Sequence, residues 1–349
     1  MVAVALLTLV PGALGGSERY TRELLRSLAA IGTLDYHVIV PPVAPNAGEG
    51  LPTTVADSYR SAHTIPERLV AMMLAAARPD PLRALMRDAS LVHYPLTLRI
   101  PPGVAPSVVT LHDVQHLDLP GMFPRSERLF RSVAWHRSIR GADRILVPSS
   151  FVRERALSRL QLDDARVRVV ASGIDHGRFT PGATSREPFL LYPARPWPHK
   201  NHVRLYEAFA ELRKERPALR LVLTGGGDFG RVPAGVEIRG MVADSELVDL
   251  MHRAAALVFP SLYEGFGQPT LEAMACGCPV ACSNVAALPE VTGGAARLFD
   301  PRDPRDIAAA VRDVLDSPDE WSKRGTEHAA QYSWDATARA TEGVYKELL

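Results

Sequence analysis

Two successive trains of alternating strand and helix signals constrain this chain more than any other feature. In the first half, short apolar runs at residues 2–9, 36–40, 91–94, 107–111, 143–147 and 167–170 read as strands. Between them apolar residues recur at helical spacing, as Tyr20, Leu24, Leu25 and Leu28 do, with Ser17 placed to cap that helix. Residues 65–76, residues 126–140 and a stretch from Ser149 or Ser150 to about Leu160 are further helix candidates; residues 43–61, rich in Pro, Gly and Ala, read as loop. The second train runs through strands at 189–193, 219–224, 236–239, 256–259, 279–283 and 297–299. Helices are expected at 203–216, 245–254 and 270–275, and from Pro304 to the end. Such alternation requires parallel strands joined by crossover helices, so two trains predict an α/β chain of two doubly wound, Rossmann-like domains. Gly173, Gly177, Pro181 and Gly182 mark residues 173–187 as the linker. Ligands of such sheets sit at the carboxyl ends of the strands, and with two domains the natural site is the cleft between them.

A length of 349 residues suits two domains, and 46% hydrophobic with 23% charged residues excludes a disordered chain. Forty basic against 39 acidic residues leave a net charge of +1, which offers no general attraction to nucleic acid. Cys276, Cys278 and Cys282 form no disulfide framework and no zinc spacing; they read as buried free thiols. The apolar start at residues 1–9 lacks a basic flank and is broken by Pro11-Gly12, so a buried strand is expected rather than a signal peptide. No apolar run is long enough to span a bilayer, and a cytoplasmic location is expected. Arg19, Arg22 and Arg26 on the first helix read as a solvated face, with peripheral membrane contact as the alternative.

The most informative stretch is Pro260-Ser-Leu-Tyr-Glu264-Gly265-Phe266-Gly267-Gln268-Pro269-Thr270-Leu-Glu272. It leaves a buried strand, turns, and enters a helix with Pro269 near its start, where a missing N–H costs little. Gly265 and Gly267 allow a ligand close to the backbone, and free N–H groups at Gly267, Gln268 and Thr270 would suit a diphosphate. Glu264 precedes the helix and Glu272 is expected two turns inside it. Carboxylates there accept hydrogen bonds from sugar or ribose hydroxyls. A second constellation, Tyr192-Pro-Ala194-Arg195-Pro-Trp-Pro-His-Lys200-Asn201, puts two cations five residues apart after a strand. Fixed positive charge is what a diphosphate leaving group needs as its glycosidic bond breaks. In the first half, Thr110-Leu-His112-Asp113 follows a strand, and Gly15-Gly16 sits in the first strand-to-helix turn without the full dinucleotide fingerprint.

Together these motifs, with Leu288-Pro289-Glu290-Val291 and Asp300-Pro301, closely resemble the E-x7-E region and its surroundings in retaining GT-B glycosyltransferases of family 4. The resemblance implies a C-terminal nucleotide-sugar-binding domain over residues 176–332. An N-terminal acceptor-binding domain over residues 1–175 would be joined by the C-terminal helix, residues 333–349, with Trp334 as an anchor. It implies that Glu264 contacts donor-sugar hydroxyls, Glu272 the nucleotide ribose, Arg195 and Lys200 the diphosphate, and His112 the sugar near its anomeric centre. Gly15, Gly16 and Gly225 would border the donor phosphates or nucleotide, and Met241-Val242 would meet the base. Gln268 stands where the family more often has Leu or Ile, and Ala194 where it usually has Gly. The implied donor is a GDP- or UDP-linked sugar, with no further cofactor and no metal. The acceptor would be a sugar, oligosaccharide or glycolipid, in antibiotic oligosaccharide or cell-surface polysaccharide assembly. A GT-B-type sugar-nucleotide epimerase and a non-catalytic nucleotide-sugar binding protein are the alternatives.

Overall fold

The computed structural model describes residues 1–104, 106–182 and 185–349. The chain divides into one unit of Met1–Gly173 with Trp334–Leu349, and a second of Ile174–Ser333. Residues 183 and 184 of the expected linker lie outside the described residues.

The first unit holds seven strands: β1 (Val2–Ala5), β2 (Tyr36–Val40), β3 (Thr53–Val55), β4 (Leu91–Tyr94), β5 (Ser107–Thr110), β6 (Arg144–Val147) and β7 (Val167–Val169). They pair in parallel in the order β3-β2-β1-β4-β5-β6-β7. The reversal at β1 is the doubly wound pattern, and β1, β4 and β5 are wholly buried because helices cover both faces. β3 falls in the stretch expected to be loop. It is a three-residue edge strand with exposed or half-buried side chains, so no hydropathy pattern announces it. Two further corrections concern helices. Gly15 (φ 57°), not Ser17, is the N-cap of helix Gly16–Ile31, because the strained turn out of β1 needs a residue without a Cβ. The helix expected over 126–140 is α-helical at Arg125–Phe130 and His136–Arg140, with a widened π-helical turn at Arg131–Trp135 between them.

The tail helix Trp334–Lys346 packs on the first unit. Trp334, Ala338, Val344 and Tyr345 join Val2, Tyr20, Leu24 and Leu28 in one core cluster. Tyr20 stands edge-on to Trp334 at 5.7 Å. The Tyr345 hydroxyl meets His93 Nδ1 at 2.7 Å, and His93 Nε2 meets Thr110 Oγ1 at 2.8 Å, all buried under β4 and β5. Tyr345→Phe is expected to cost about 1 kcal/mol in urea unfolding, the usual net worth of one such bond. The basic face of helix Gly16–Ile31 is largely paired: Arg22 with Glu18 and Glu49, and Arg26 with Glu23 and Glu49.

The second unit holds β8 (Glu187–Pro193), β9 (Arg220–Thr224), β10 (Val236–Gly240), β11 (Ala254–Phe259), β12 (Val280–Ser283) and β13 (Arg297–Phe299), in the parallel order β10-β9-β8-β11-β12-β13. This too is doubly wound, with its reversal at β8. The loops leaving β8 and β11, which carry the two cationic and carboxylate motifs, therefore emerge side by side. The three cysteines are buried free thiols, and burial pushes the Cys276 and Cys282 thiols up to about 12. Among the described residues no helix is long and apolar enough to cross a membrane.

Candidate active site

In the second unit the loop after β8 and the loop after β11 are stitched together. The Leu262 amide donates to the His199 carbonyl at 2.7 Å, and the Tyr192 hydroxyl donates to the Lys200 carbonyl at 2.7 Å. Asn201 (φ 61°) caps helix His202–Glu215, and its side-chain amide donates to the carbonyls of Pro260 (3.0 Å) and Pro301 (2.7 Å). A short Asn tolerates this left-handed backbone, which lets the loop reverse directly into the helix. Tyr192 and Asn201 bound the cationic segment in sequence, but their roles as hydrogen-bonding braces appear only in the structure.

Within this frame the Lys200 ammonium lies 2.5 Å from Glu264 Oε1, and both side chains are largely buried. Lys200 Nζ also sits 5.3 Å from the centre of the Phe259 ring, a cation–π distance. Arg195 is half-buried, its guanidinium 5.7 Å from the Trp197 ring. Two residues 64 apart in sequence thus form one ion pair at the ends of adjacent strands. A buried pair of this kind contributes little net stability but fixes the two side chains against each other.

The helix after this loop begins at Gln268, two residues earlier than expected, and runs Gln268–Ala275. Gly267 (φ 94°) is its N-cap, and a Cβ there would lie 2.5 Å from Leu288 Cδ2. Glu272 is the fifth residue of the helix, about one turn in where two were expected, and it is buried (2% exposed). The Thr270 amide donates to the Gly267 carbonyl at 3.0 Å, and its hydroxyl does so at 2.8 Å, so that amide is not free for an anion. Pro269 occupies the first turn. Gly265 is half-buried beside Glu264, and the Phe266 ring is buried edge-on to Tyr332 at 6.2 Å, leaving its backbone rather than its ring for a ligand.

Gly225 (φ 118°) closes the other side. A Cβ on it would come within 3.0 Å of the Ala194 carbonyl carbon and the Arg195 nitrogen. Gly225→Ala is expected to destabilise the protein by about 1–3 kcal/mol in urea melts, since both φ and space forbid the methyl. Met241 is exposed with its side chain against Gly226, and Val242 is half-buried beside it.

The remaining expected residues belong to the first unit. Gly15 and Gly16 are exposed in the turn after β1. His112 follows β5, edge-on to Tyr20 at 5.1 Å. Its Nε2 lies 2.9 Å from the Pro95 carbonyl, an acceptor only, so Nε2 carries the hydrogen. Burial holds the His112 pKa below its usual value, against the opposing pull of the Pro95 carbonyl and Asp113. Neutral at physiological pH, it offers Nδ1 as an acceptor, able to take a hydrogen bond from a sugar hydroxyl. Asp113 accepts from the Gln115 amide at 2.9 Å and orients the loop.

Comparison with known proteins agrees across both units. Residues 14–178 match the Glycosyltransferase Family 4 model, and residues 187–317 match that of Glycosyl transferases group 1. The chain is 30% identical to the O-antigen chain mannosyltransferase B of Escherichia coli over 292 residues, 76% of each chain. In fold it is similar to sucrose-phosphate synthase from Thermosynechococcus elongatus, with a TM-score of 0.78 at 23% identity over 99% of this chain and 98% of that one. It is also similar to the Anabaena protein HepE in complex with UDP-glucose, with a TM-score of 0.72 at 16% identity over 100% of both. The two parallel-sheet, Rossmann-like units are those of the GT-B fold, and the chain belongs to the group 1/family 4 glycosyltransferases.

Proposed function

We propose that the protein is a retaining glycosyltransferase that moves a hexosyl or deoxysugar from a GDP- or UDP-linked donor to an acceptor hydroxyl. The observation that carries this reading is the Lys200–Glu264 pair at 2.5 Å, with Arg195 on the same loop as Lys200 and Glu264 just before helix Gln268–Ala275. A cation suited to a diphosphate and a carboxylate suited to sugar hydroxyls are thereby brought side by side. In this reading Glu272 receives the ribose hydroxyls, and the backbone at Gly267 and Gln268 faces the diphosphate. Gly225, Met241 and Val242 border the base. In the first unit, His112 is assigned to sugar hydroxyls and Gly15 and Gly16 to phosphate.

The sequence motifs assign no carboxylate as a nucleophile, which favours a front-face route over double displacement. The diphosphate departs, the acceptor hydroxyl attacks the same face of an oxocarbenium-like centre, and a departing phosphate oxygen takes the hydroxyl proton. Arg195, Lys200 and the helix start stabilise the leaving group, and no metal is then required. The mannosyltransferase relative supports a mannosyl-type donor and a cell-surface polysaccharide or glycolipid acceptor, with an antibiotic oligosaccharide as the other acceptor class. An epimerase or a binding protein of the same fold is less favoured by the Arg195, Lys200, Glu264 and Glu272 set. Thermal shift with GDP, UDP, ADP and dTDP is expected to single out one nucleotide, and loss of the shift in Lys200→Ala would tie it to this loop. A donor assay with simple acceptors follows, and NMR of the product anomer must give the donor's configuration; inversion would sink the retaining assignment.

A further inference from the structure

His112 is held by more of the first unit than its own loop. It follows β5, and its Nε2 donates to the Pro95 carbonyl at 2.9 Å, in the turn that follows β4. β4 and β5 pair in parallel with Tyr94 opposite Val109, so the two loops leave the same end of the sheet side by side. Two residues beyond Pro95, Thr97 has a φ of 70° and is 2% exposed. A β-branched side chain in the left-handed region is a genuine outlier. Gly or Asn would turn the chain there with less strain. What Thr97 supplies is its hydroxyl, which donates to the Thr110 carbonyl at 2.8 Å. Thr110 is the last residue of β5, two before His112. The bond therefore ties the turn that carries Pro95 to the strand that carries His112. Backbone strain of this kind persists only where the surrounding structure over-determines it, and it gathers where geometry serves function.

A second constraint on the ring comes from helix Gly16–Ile31. Tyr20, one turn inside that helix, is buried, and its ring meets the His112 ring at 81° with 5.1 Å between centres. Trp334 of the tail helix backs Tyr20 in turn. A hydrogen bond fixes one ring atom but lets the imidazole tilt about it. A perpendicular aromatic neighbour, with its own preferred geometry, opposes that tilt. Two separate elements thus converge on one half-buried imidazole. His93 on β4 makes the contrast. Both of its nitrogens are consumed inside the fold, Nε2 with Thr110 and Nδ1 with Tyr345. On His112 the fold engages Nε2 and turns a strained residue to do it.

We propose that Thr97 and Tyr20 are positioning residues for His112, holding its ring with Nε2 as donor to Pro95 and Nδ1 as the acceptor presented to a substrate hydroxyl. Thr97 selects the tautomer by fixing the Pro95 carbonyl, and Tyr20 sets the plane of the ring. Neither side chain touches substrate; both act through the imidazole. That the hydroxyl belongs to a sugar rests on the glycosyltransferase reading above; the hold on the ring does not.

Nitrogen NMR of the histidine rings in the full chain reads this hold directly, with the His112 signals identified by their loss in His112→Ala. In wild type Nε2 is expected to be protonated and Nδ1 bare. Thr97→Val removes the hydroxyl and keeps the shape, so the turn should relax and the two nitrogen shifts move towards their average as the tautomers exchange. Thr97→Ser keeps the hydroxyl and should restore the wild-type pattern. Tyr20→Leu should displace the His112 ring signals, and Tyr20→Phe, which keeps the ring, should restore them. In donor-consumption assays Thr97→Val and Tyr20→Leu should lower kcat about 10–100-fold with donor KM little changed, as for a group misplaced by up to about 1 Å. Added to His112→Ala, either change should cost no further turnover, because residues acting as a unit are not additive. A merely structural role predicts lower melting temperatures, unchanged His112 signals and losses that add to that of His112→Ala. That result overturns the proposal, as does a wild-type His112 protonated on Nδ1. If Thr97→Val fails to fold, Tyr20→Leu decides by the same spectra and rates. Full turnover in His112→Ala would overturn the sugar-contact reading instead, and the ring spectra would still decide the positioning.

Discussion

Lys200→Ala is expected to lower turnover at saturating donor about 10²–10³-fold, the usual effect of removing one preorganised electrostatic contact to a developing charge. The effect should fall equally on kcat and kcat/KM, because the contact strengthens as the diphosphate leaves. The ion pair complicates this measurement in a useful way. Truncating Lys200 leaves the largely buried Glu264 carboxylate without the ammonium at 2.5 Å, so the variant should also lose stability. The double variant Lys200→Met/Glu264→Gln removes both charges and should recover most of that stability. It should not recover turnover. Near-native turnover of Lys200→Ala, or rescue of turnover by the double variant, would mean the pair is only structural. Urea melts alongside donor-consumption rates separate the two.

Glu342→Ala should be the most destabilising single change outside the donor loops, by about 3–5 kcal/mol. The carboxylate accepts from the Thr33 amide (2.6 Å), the Thr33 hydroxyl (3.0 Å), the Leu34 amide (3.0 Å) and the Tyr36 hydroxyl (2.8 Å), with Lys346 at 3.3 Å. Alanine would leave these donors beneath the tail helix with nothing to receive them. Burial raises the Glu342 pKa, but the bonds from Tyr36 and Thr33 outweigh it and bring the carboxyl down to about 2. A carboxyl depressed in the folded state stabilises fully above its unfolded value of about 4.3 and progressively less as pH falls towards 2. Wild type should therefore lose stability between about pH 4.5 and pH 2 more steeply than Glu342→Gln, in chemical denaturation across that range. Parallel curves would show that Glu342 is not the group responsible.

Much of this protein was legible in one dimension. Alternating apolar runs separated by helical spacing can only be parallel sheets with crossover helices, so the two doubly wound units followed from local hydropathy. The motif segments Tyr192–Asn201 and Glu264–Glu272 could be placed at strand ends for the same reason. Elements too short to carry a period escaped, as the edge strand Thr53–Val55 did. The start of helix Gln268–Ala275 was also misplaced, since Gly267 reads as an open loop until its left-handed φ and its contact with Leu288 are known. With Gly267 as N-cap, the Thr270 amide donates to the Gly267 carbonyl and is withdrawn from the anion site.

What sequence could not determine were the relations between distant residues. That Lys200 pairs with Glu264 and that Glu342 receives the Thr33–Tyr36 stretch both depend on strand order. Strand order is set by which apolar faces bury one another, and that is a property of the whole packed chain. Local periodicity thus determined which elements form and where ligand loops must emerge. Tertiary packing alone decided which charges meet inside them, because burial turns a solvated side chain into one that must find a partner.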